Sequence, residues 1–231
     1  MVDGLALTGL NVGWQAQTVY AFEERSVSQQ HSVLPPPVGT VPDWSGKGKE
    51  QAVQRMFTAI ARVYDLNNSL LSFGLHHRWK RKTAGFVPMR PTGCALDIGA
   101  GTGDLALLLR GRYGTDSRVV AADLNLAMLK EGAKKIERLG ASRVVHCFQS
   151  NAEELGFRPA TFDAVTTGFC MRNVSDLRRA LTEIHRVMKP GGTFACLEFS
   201  RPVPVWLRTL YDWYSFKLLP WVGTVVARDG T

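Results

Sequence analysis

Residues 94–104 read Cys94-Ala95-Leu96-Asp97-Ile98-Gly99-Ala100-Gly101-Thr102-Gly103-Asp104, and this segment predicts the core of the fold. Its first five residues are mostly apolar and are bounded by glycine on both sides, which is typical of a short buried strand. Glycine then occupies every second position, and strong helix formers follow in Leu105-Ala106-Leu107-Leu108-Leu109. A strand, a glycine loop and a helix in this order turn backbone N–H groups and a helix N-terminus toward a nucleotide-like ligand.

The spacing of the glycines indicates which ligand this is. A dinucleotide fingerprint, G-x-G-x-x-G, would place its third glycine at position 104, where the chain has Asp104. The pattern D-x-G-x-G-x-G instead resembles motif I of class I S-adenosylmethionine (SAM) methyltransferases. That resemblance implies cofactor contacts from the motif itself, namely Asp97, Gly99, Gly101, Thr102 and Gly103.

A second carboxylate supports the same ligand. Twenty residues after Gly103, the run Val119-Val120-Ala121-Ala122-Asp123 predicts a strand that ends in an acid. An acid at this offset can accept hydrogen bonds from both ribose hydroxyls. We therefore predict that SAM is the cofactor. The alternative is a glycine-rich β–α turn followed by an incidental aspartate.

Composition restricts the partners and the compartment. The 231 residues are 45% hydrophobic and 21% charged, as in ordinary globular proteins, and the net charge of +8 favours nucleic acid or a membrane surface. The four cysteines show no C-x-x-C spacing, so we predict buried, reduced thiols and no metal site. No apolar run reaches transmembrane length and no signal peptide is evident. We expect a cytoplasmic protein, peripheral at the inner membrane face if its basic and aromatic segments contact lipid.

The chain is predicted to have two parts. Residues 1–48 lack periodicity and include a proline-rich run, which predicts a disordered extension and linker. Residues 49–231 are predicted to form one methyltransferase domain. It begins with a helix whose buried face carries Val53, Met56, Phe57, Ile60, Ala61 and Tyr64. Asp65–Ser69 is expected to interrupt this helix before a second segment that ends in the basic run His76–Lys82.

Strands and helices alternate after the glycine motif. We predict helices over 130–139 and 177–188, and strands over 143–148, 162–169 and 193–199. The alternation predicts an α/β fold, a Rossmann-like sheet of about five parallel strands with helices on both faces. Ligands bind at the carboxyl ends of such strands, where Asp123, Asn151 and the residues after Thr167 lie.

Two further segments narrow the resemblance to one family. The first segment runs from Met56-Phe57 through Tyr64-Asp65-Leu66-Asn67-Asn68, then Leu71-Ser72-Phe73-Gly74-Leu75-His76 and Trp79-Lys80. It resembles the N-terminal signature of the ubiquinone/menaquinone biosynthesis C-methyltransferase family (UbiE type). Phe169-Cys170-Met171-Arg172-Asn173-Val174 resembles its second signature, F-G-[LI]-R-N-V. Further matches are Arg186–Gly192, Leu197–Ser200 and Tyr211–Phe216, so that the likeness covers roughly residues 50 to 229.

The chain departs from the family pattern at two points. Members usually have glycine where this chain has Cys170. The resemblance also implies a seven-stranded sheet whose last two strands form a hairpin. In this sequence we count five strands and find no sixth. We therefore expect the C-terminal hairpin to be missing and the domain to be C-terminally truncated; the alternative is that the edge of the sheet is completed in another way.

The resemblance implies a reaction in which the SAM methyl group moves to a ring carbon of a prenylated quinol, giving menaquinol from demethylmenaquinol and/or acting on 2-methoxy-6-polyprenyl-1,4-benzoquinol. Arg172 is assigned the role of stabilising a phenolate or orienting a water, with Asn173 as its positioning partner. The alternative is that Arg172 forms an ion pair with a carboxylate such as Asp97 or Asp104. Tyr64 and His76 are candidate proton acceptors. Further cofactor contacts carried over from the family are Asn151, Ala152 and a backbone contact at Gly168.

Three alternatives stay open. A nucleic-acid methyltransferase would fit the charge, although neither [DN]-P-P-[YF] nor Pro-Cys follows the fourth strand. A non-catalytic SAM-fold member of a quinone-synthesis complex would fit a truncated domain. The aromatic tail 206–221 suits a core-packing helix, a flap over an apolar substrate, or a segment at a membrane surface. We predict a quinol substrate and no nucleic acid, and we make no prediction of oligomeric state.

Overall fold

The computed structural model describes residues 6–11, 17–23, 46–88, 92–113 and 116–199. The chain divides into two compact units, Met1–Leu10 with Val19–Glu198, and Asn11–Thr18 with Phe199–Thr231. The helices of the described residues and the candidate site belong to the first unit. The aromatic tail and the hairpin expected to be missing concern residues beyond 199, which lie outside the described ranges.

Strands and helices alternate through the described part of the chain. Its strands are β1 (Ala6–Asn11), β2 (Gln17–Glu23), β3 (Cys94–Ile98), β4 (Arg118–Asp123), β5 (Val145–Gln149), β6 (Phe162–Gly168) and β7 (Met188–Phe199). Its helices are α1 (Gly46–Ile60), α2 (Tyr64–Leu71), α3 (Leu75–Phe86), α4 (Asp104–Arg110), α5 (Leu126–Arg138) and α6 (Leu177–Val187), with a 3-10 turn at Met171–Asn173.

The sheet confirms the predicted parallel core. Its strand order is β1-β2-β7-β6-β3-β4-β5. The five strands β3 to β7 pair in parallel, for example Leu96 with Val120 on one side and Leu96 with Val165 on the other. The strand order reverses at β3: the chain continues to one side of it through β4 and β5, and to the other side through β6 and β7. Ligands are expected at such a switch point, at the carboxyl ends of β3 and its neighbours.

Two strands lie within the segment that the sequence predicts to be disordered. β1 and β2 extend the sheet beyond β7. The sequence of β2 carries Thr18, Tyr20 and Phe22 at alternate positions, which is typical of a strand, but the run is too short to stand out beside the prolines that follow. The structured domain also begins a little earlier than predicted, because α1 starts at Gly46.

The core lies on both faces of the sheet. Alternate residues of each strand point to opposite sides. Ala95 therefore packs in one cluster with Leu105 and Leu109 of α4, whereas Leu96 packs in another with Ile184 of α6. All four cysteines are free thiols, but the predicted burial holds only for Cys196: Cys94 and Cys170 are partly buried, and Cys147, on the edge strand β5, is exposed.

The N-terminal helices correct the predicted interruption. Asp65–Ser69 is helical and forms most of α2. The polar residues are accommodated because the hydroxyl of Ser69 donates to the carbonyl of Asp65 at 2.8 Å, and that of Ser72 donates to Asn68 at 2.6 Å. Met56 was expected on the buried face of α1, but its side chain is exposed.

No helix among the described residues has the length and the apolarity needed to cross a bilayer.

Candidate active site

A pocket opens at the carboxyl ends of the parallel strands. Its lower wall is formed by the loops that follow β3, β4, β5 and β6, and its upper wall by α1 and the first residue of α2. The lining residues are Glu50, Val53, Gln54, Phe57, Tyr64, Ile98, Gly99, Gly101, Asp123, Leu124, Met128, Ser150, Asn151, Ala152, Glu153, Gly168, Phe169, Cys170, Asn173, Val174 and Ser175. The pocket therefore brings together residues from five separate segments of the chain.

The glycine loop forms the floor of the pocket. Gly99 and Gly101 have φ angles of 63° and 56°, a region that other residues rarely adopt. A Cβ on Gly99 would lie 2.3 Å from the sulfur of Cys170, so this position has no space for a side chain. The loop thereby presents bare backbone to the pocket, which is what the close approach of a nucleoside requires.

Asp123 binds the same loop from the end of β4. Its Oδ2 accepts the N–H of Gly101 at 2.8 Å and its Oδ1 accepts the N–H of Asn125 at 2.7 Å. Burial raises the pKa of Asp123, and these backbone N–H groups oppose the rise. Each carboxylate oxygen retains a lone pair, so the group can also accept two hydroxyls. This geometry fits the ribose of SAM.

Asn125 links the cofactor loop to the roof of the pocket, a contact that sequence reasoning missed. Its side-chain N–H groups donate to the carbonyl and the side chain of Gln54 and to the hydroxyl of Thr58, each at 2.9 Å. Its Oδ1 caps α5 by accepting the N–H of Met128 at 3.0 Å. The asparagine just before a helix was a visible signal for the cap, but nothing local indicated its bonds to α1.

Asp97 lies beneath the loop rather than in the pocket. It is buried, and it accepts hydrogen bonds from the N–H of Ala106 at 3.1 Å and the hydroxyl of Thr166 at 2.9 Å. Burial raises the pKa of Asp97 to about 7, against the opposing effect of these bonds. Its position supports a role in holding the loop against α4 and β6, not the cofactor contact implied by the motif.

The raised pKa gives a prediction for Asp97→Asn. In the wild type, folding retains a proton on Asp97 that the unfolded chain releases, so this group's contribution to stability falls as pH rises from about 4 to about 7. Asparagine can accept the N–H of Ala106 through its oxygen and donate its NH₂ group to the hydroxyl oxygen of Thr166, and it cannot ionise. The free energy of unfolding of Asp97→Asn, measured in urea, should therefore rise relative to the wild type across this window, by on the order of 4 kcal/mol.

Comparing the two proteins at each pH removes an opposing contribution. Burial, followed by the charges of Lys80 and His77, lowers the pKa of His76 to about 4. The contribution of this imidazole to the stability of the fold is therefore lost as pH falls from about 6.5 to 4. That contribution is common to both proteins. Parallel stability curves would contradict the assignment of a proton to Asp97.

Tyr64 lines the pocket, and the next residue anchors its helix. Asp65 accepts the hydroxyl of Thr102 at 2.6 Å and is ion-paired with Lys135 of α5. Lys135 also pairs with Asp104 at 2.6 Å. Thr102 is buried in this network and is absent from the pocket lining, so its position does not support the predicted contact of its side chain with the cofactor.

The network fixes α2, α3, α4 and α5 relative to one another. Lys80 of α3 pairs with Asp104 at 2.8 Å. Burial alone would raise the pKa of Asp104, but Lys80 and Lys135 outweigh it and hold this pKa well below its usual range. His76, His77 and Asp104 bring possible metal ligands within 4.8 Å of one another. However, the two ammonium groups already neutralise the carboxylate, so the charge does not favour a cation there.

His76 is not brought to the pocket. Its Nδ1 lies 2.7 Å from the hydroxyl of Ser72, its side chain is buried, and its Nε2 has no hydrogen-bond partner among the described residues. With its pKa lowered to about 4, it is a neutral imidazole at physiological pH. This position does not support the role of proton acceptor from a substrate.

Arg172 and Asn173 lie at the rim of the pocket. The guanidinium of Arg172 pairs with Glu198 at 2.7 Å, rather than with Asp97 or Asp104, and lies 5.7 Å from the ring centre of Phe169. Asn173 and Phe169 line the pocket, whereas Arg172 itself does not. Lys49 of α1 donates to the carbonyl of Arg172 at 3.0 Å, which ties the roof to this turn.

The remaining predicted contacts lie together. Asn151, Ala152 and Gly168 all line the pocket. The side-chain oxygen of Asn151 accepts the N–H of Glu153 at 2.9 Å, which orders the turn after β5. Gly103 does not line the pocket; its φ of 79° starts α4 instead.

A parallel sheet with this strand order, a bare glycine loop after β3 and a carboxylate at the end of β4 define a class I SAM-dependent methyltransferase. The fold is shared with the solved SAM-dependent methyltransferase of Aquifex aeolicus, at a TM-score of 0.50 and 22% identity over 55% of this chain and 66% of that one.

Sequence comparison identifies the family. The model of the ubiE/COQ5 methyltransferase family matches residues 46–231. The ubiquinone/menaquinone biosynthesis C-methyltransferases UbiE of Xanthomonas campestris and of Legionella pneumophila strain Paris are 42% and 43% identical over 187 residues, which are 81% of this chain and 74% of each relative. The chain belongs to the ubiE/COQ5 methyltransferase family.

Proposed function

We propose that this methyltransferase C-methylates a prenylated quinol, either demethylmenaquinol to menaquinol or 2-methoxy-6-polyprenyl-1,4-benzoquinol, or both. The observation that carries the proposal is the conjunction of a SAM-type pocket with the two family segments, because Tyr64 of the first and Asn173 of the second line that one pocket. The names of the relatives support the same chemistry.

The residues of the chain would bind, orient and exclude water. SAM, when bound, supplies a methyl group on a sulfonium and leaves as the neutral thioether. Asp123 and the backbone of Gly99 and Gly101 would hold its sugar and methionine portions. The roof formed by Val53 and Phe57 would keep the pocket dry, since both side chains are apolar.

The acceptor must be prepared as a nucleophile. A quinol hydroxyl loses its proton, charge flows to the ortho carbon, the new C–C bond forms there, and the ring proton at that carbon then leaves. Tyr64 is the candidate in the pocket for accepting or relaying a proton. Arg172 would stabilise the phenolate oxygen, because it stays charged, Glu198 orients it, and it lies beside Phe169 at the rim.

Arg172→Gln is expected to lower kcat by about 10²-fold and leave the Kd for SAM within about two-fold, because the lost charge acts on the acceptor rather than on the cofactor. The matched control is Arg179→Gln, which removes an arginine from an exposed pair with Glu154. Steady-state assays and calorimetry with SAM separate the two quantities. A wild-type kcat in Arg172→Gln would remove this residue from the mechanism.

The substrate class is tested with purified protein, labelled SAM, and a panel of demethylated quinols beside RNA. We expect label in at least one quinol and none in RNA. Label in RNA and in no quinol would overturn the proposal in favour of the nucleic-acid alternative. Absence of SAM binding in calorimetry would favour the non-catalytic alternative instead.

We also propose that the protein works at the surface of a membrane, because a prenylated acceptor resides in lipid. The chain offers the anionic face of a bilayer a net charge of +8.

A further inference from the structure

Helix α2 turns its apolar side chains away from the protein and its polar side chains toward it. Its apolar side faces outward: Val63, Leu66 and Leu70 are 46%, 60% and 64% exposed, and their spacing of i, i+3 and i+7 places them on one stripe. Its polar side faces the protein, where Asp65 contacts Thr102 and Lys135. A surface helix normally has the opposite arrangement. We call the three exposed residues the outer face of α2.

The segment of the chain that carries the outer face is mostly cationic. Residues 46–88 contain eight lysines and arginines against two acidic residues, Glu50 and Asp65. Both acids are only partly exposed: Glu50 lines the pocket, and Asp65 is half-buried where it contacts Thr102 and Lys135. Among the side chains whose burial is described in this segment, the exposed cations are Arg55, Arg62, Arg78, Arg81 and Lys82. An exposed apolar stripe on a cationic segment complements an anionic lipid surface.

The outer face also adjoins the pocket. Val63 belongs to the stripe, and the next residue, Tyr64, lines the cavity. A surface that rested on lipid here would place the pocket wall next to the bilayer.

We propose that the outer face of α2 and the basic residues of α3 dock this protein on an anionic bilayer. The preference for a bilayer over a soluble partner rests in part on the proposed function, because a prenylated quinol is extracted from lipid. The surface itself is assigned from exposure and charge alone.

The test is co-sedimentation of the full chain with vesicles of equal parts phosphatidylglycerol and phosphatidylcholine, and with phosphatidylcholine alone. The wild type should bind the anionic vesicles, and binding should weaken as salt is raised. Leu66→Ser/Leu70→Ser should weaken binding at least ten-fold, because two exposed leucines no longer enter the lipid interface. Arg78→Gln/Arg81→Gln/Lys82→Gln should reduce binding to the level seen with phosphatidylcholine alone.

The matched control is Leu139→Ser/Leu177→Ser, which removes two exposed leucines, one at the C-cap of α5 and one at the start of α6. SAM affinity, measured by calorimetry, should stay unchanged in every variant and reports correct folding. Wild-type protein that stays in the supernatant with anionic vesicles would overturn the proposal. So would equal losses in the control, or a dimer in sedimentation equilibrium that Leu66→Ser/Leu70→Ser dissociates while vesicle binding is unchanged.

Vesicle binding needs neither SAM nor a quinol, so the two proposals fail separately. Binding without quinol methylation would leave the docking surface standing and remove the substrate. Methylation of a short-chain quinol without vesicle binding would do the reverse.

Discussion

Asp123→Asn should raise the Kd for SAM by about 10²-fold. Asp123 lies at the end of β4, where its two oxygens already accept the N–H groups of Gly101 and Asn125. Hydrogen bonds to a charged acceptor contribute about 1.5–3 kcal/mol each. Asparagine has one acceptor oxygen instead of two and no charge, so it can accept a hydrogen bond from at most one of the two ribose hydroxyls. Its NH₂ group would also face one of the two backbone donors. Isothermal calorimetry with SAM and with its demethylated product measures the loss.

The control for this substitution is Asp116→Asn, which makes the same chemical change at an exposed position. We expect its Kd to match that of the wild type. Because Asp123 is partly buried, circular dichroism must show that Asp123→Asn is folded before its affinity is interpreted. An affinity within two-fold of the wild type in a folded Asp123→Asn would exclude the ribose contact and, with it, the proposed orientation of the cofactor.

Gly99→Ala should destabilise the fold by about 2–5 kcal/mol and abolish SAM binding. Two costs combine. A left-handed φ of 63° costs a residue with a Cβ roughly 1–2 kcal/mol, and overpacking costs about 1–3 kcal/mol more. The overpacking follows from distance, because the new methyl group would lie 2.3 Å from the sulfur of Cys170 and 2.5 Å from its Cβ. Urea unfolding gives the stability and calorimetry gives the affinity.

Two further variants separate the costs. Gly99→Ala/Cys170→Gly removes the collision but keeps the unfavourable φ, so it should recover about half of the lost stability. Gly85→Ala is the matched control, because it lies in α3 with nothing within 4 Å of an added Cβ; alanine there should be neutral or slightly stabilising. No recovery in the double variant would show that the loop tolerates glycine alone for reasons of backbone conformation.

Much of the pocket could be predicted because the signals are local. A short apolar run predicts a parallel strand, and parallel strands bring their carboxyl ends to one edge of a sheet. Asp123, Asn151 and Gly168 follow three such strands, and all three line the pocket. In these cases the distance along the chain was irrelevant, since the sheet itself joins the segments.

The rest depended on contacts that no local pattern shows. The position of Tyr64 is set by the bond between Asp65 and Lys135, seventy residues apart in the chain, and that of the roof by Asn125 and Gln54. The same network buries Thr102, which the motif alone would place in the cofactor site. Arg172 took Glu198 as its partner because β7 ends beside the turn after β6, a register that neither segment encodes by itself.

The hydrogen bonds along α2 and α3 have a consequence for how this region can vary. Ser69 bonds to Asp65, Ser72 bonds to Asn68, and His76 bonds to Ser72, so each partner lies four positions from the next. Removing or adding one residue between two of these partners would turn the later side chain by about 100° around the helix axis relative to the earlier one. The two serine bonds to carbonyls would re-form with whichever residue then lies four positions earlier, but the side chains of Ser72 and His76 would be separated. The spacing between Ser72 and His76 should therefore tolerate neither an insertion nor a deletion, even where neighbouring side chains are exchanged.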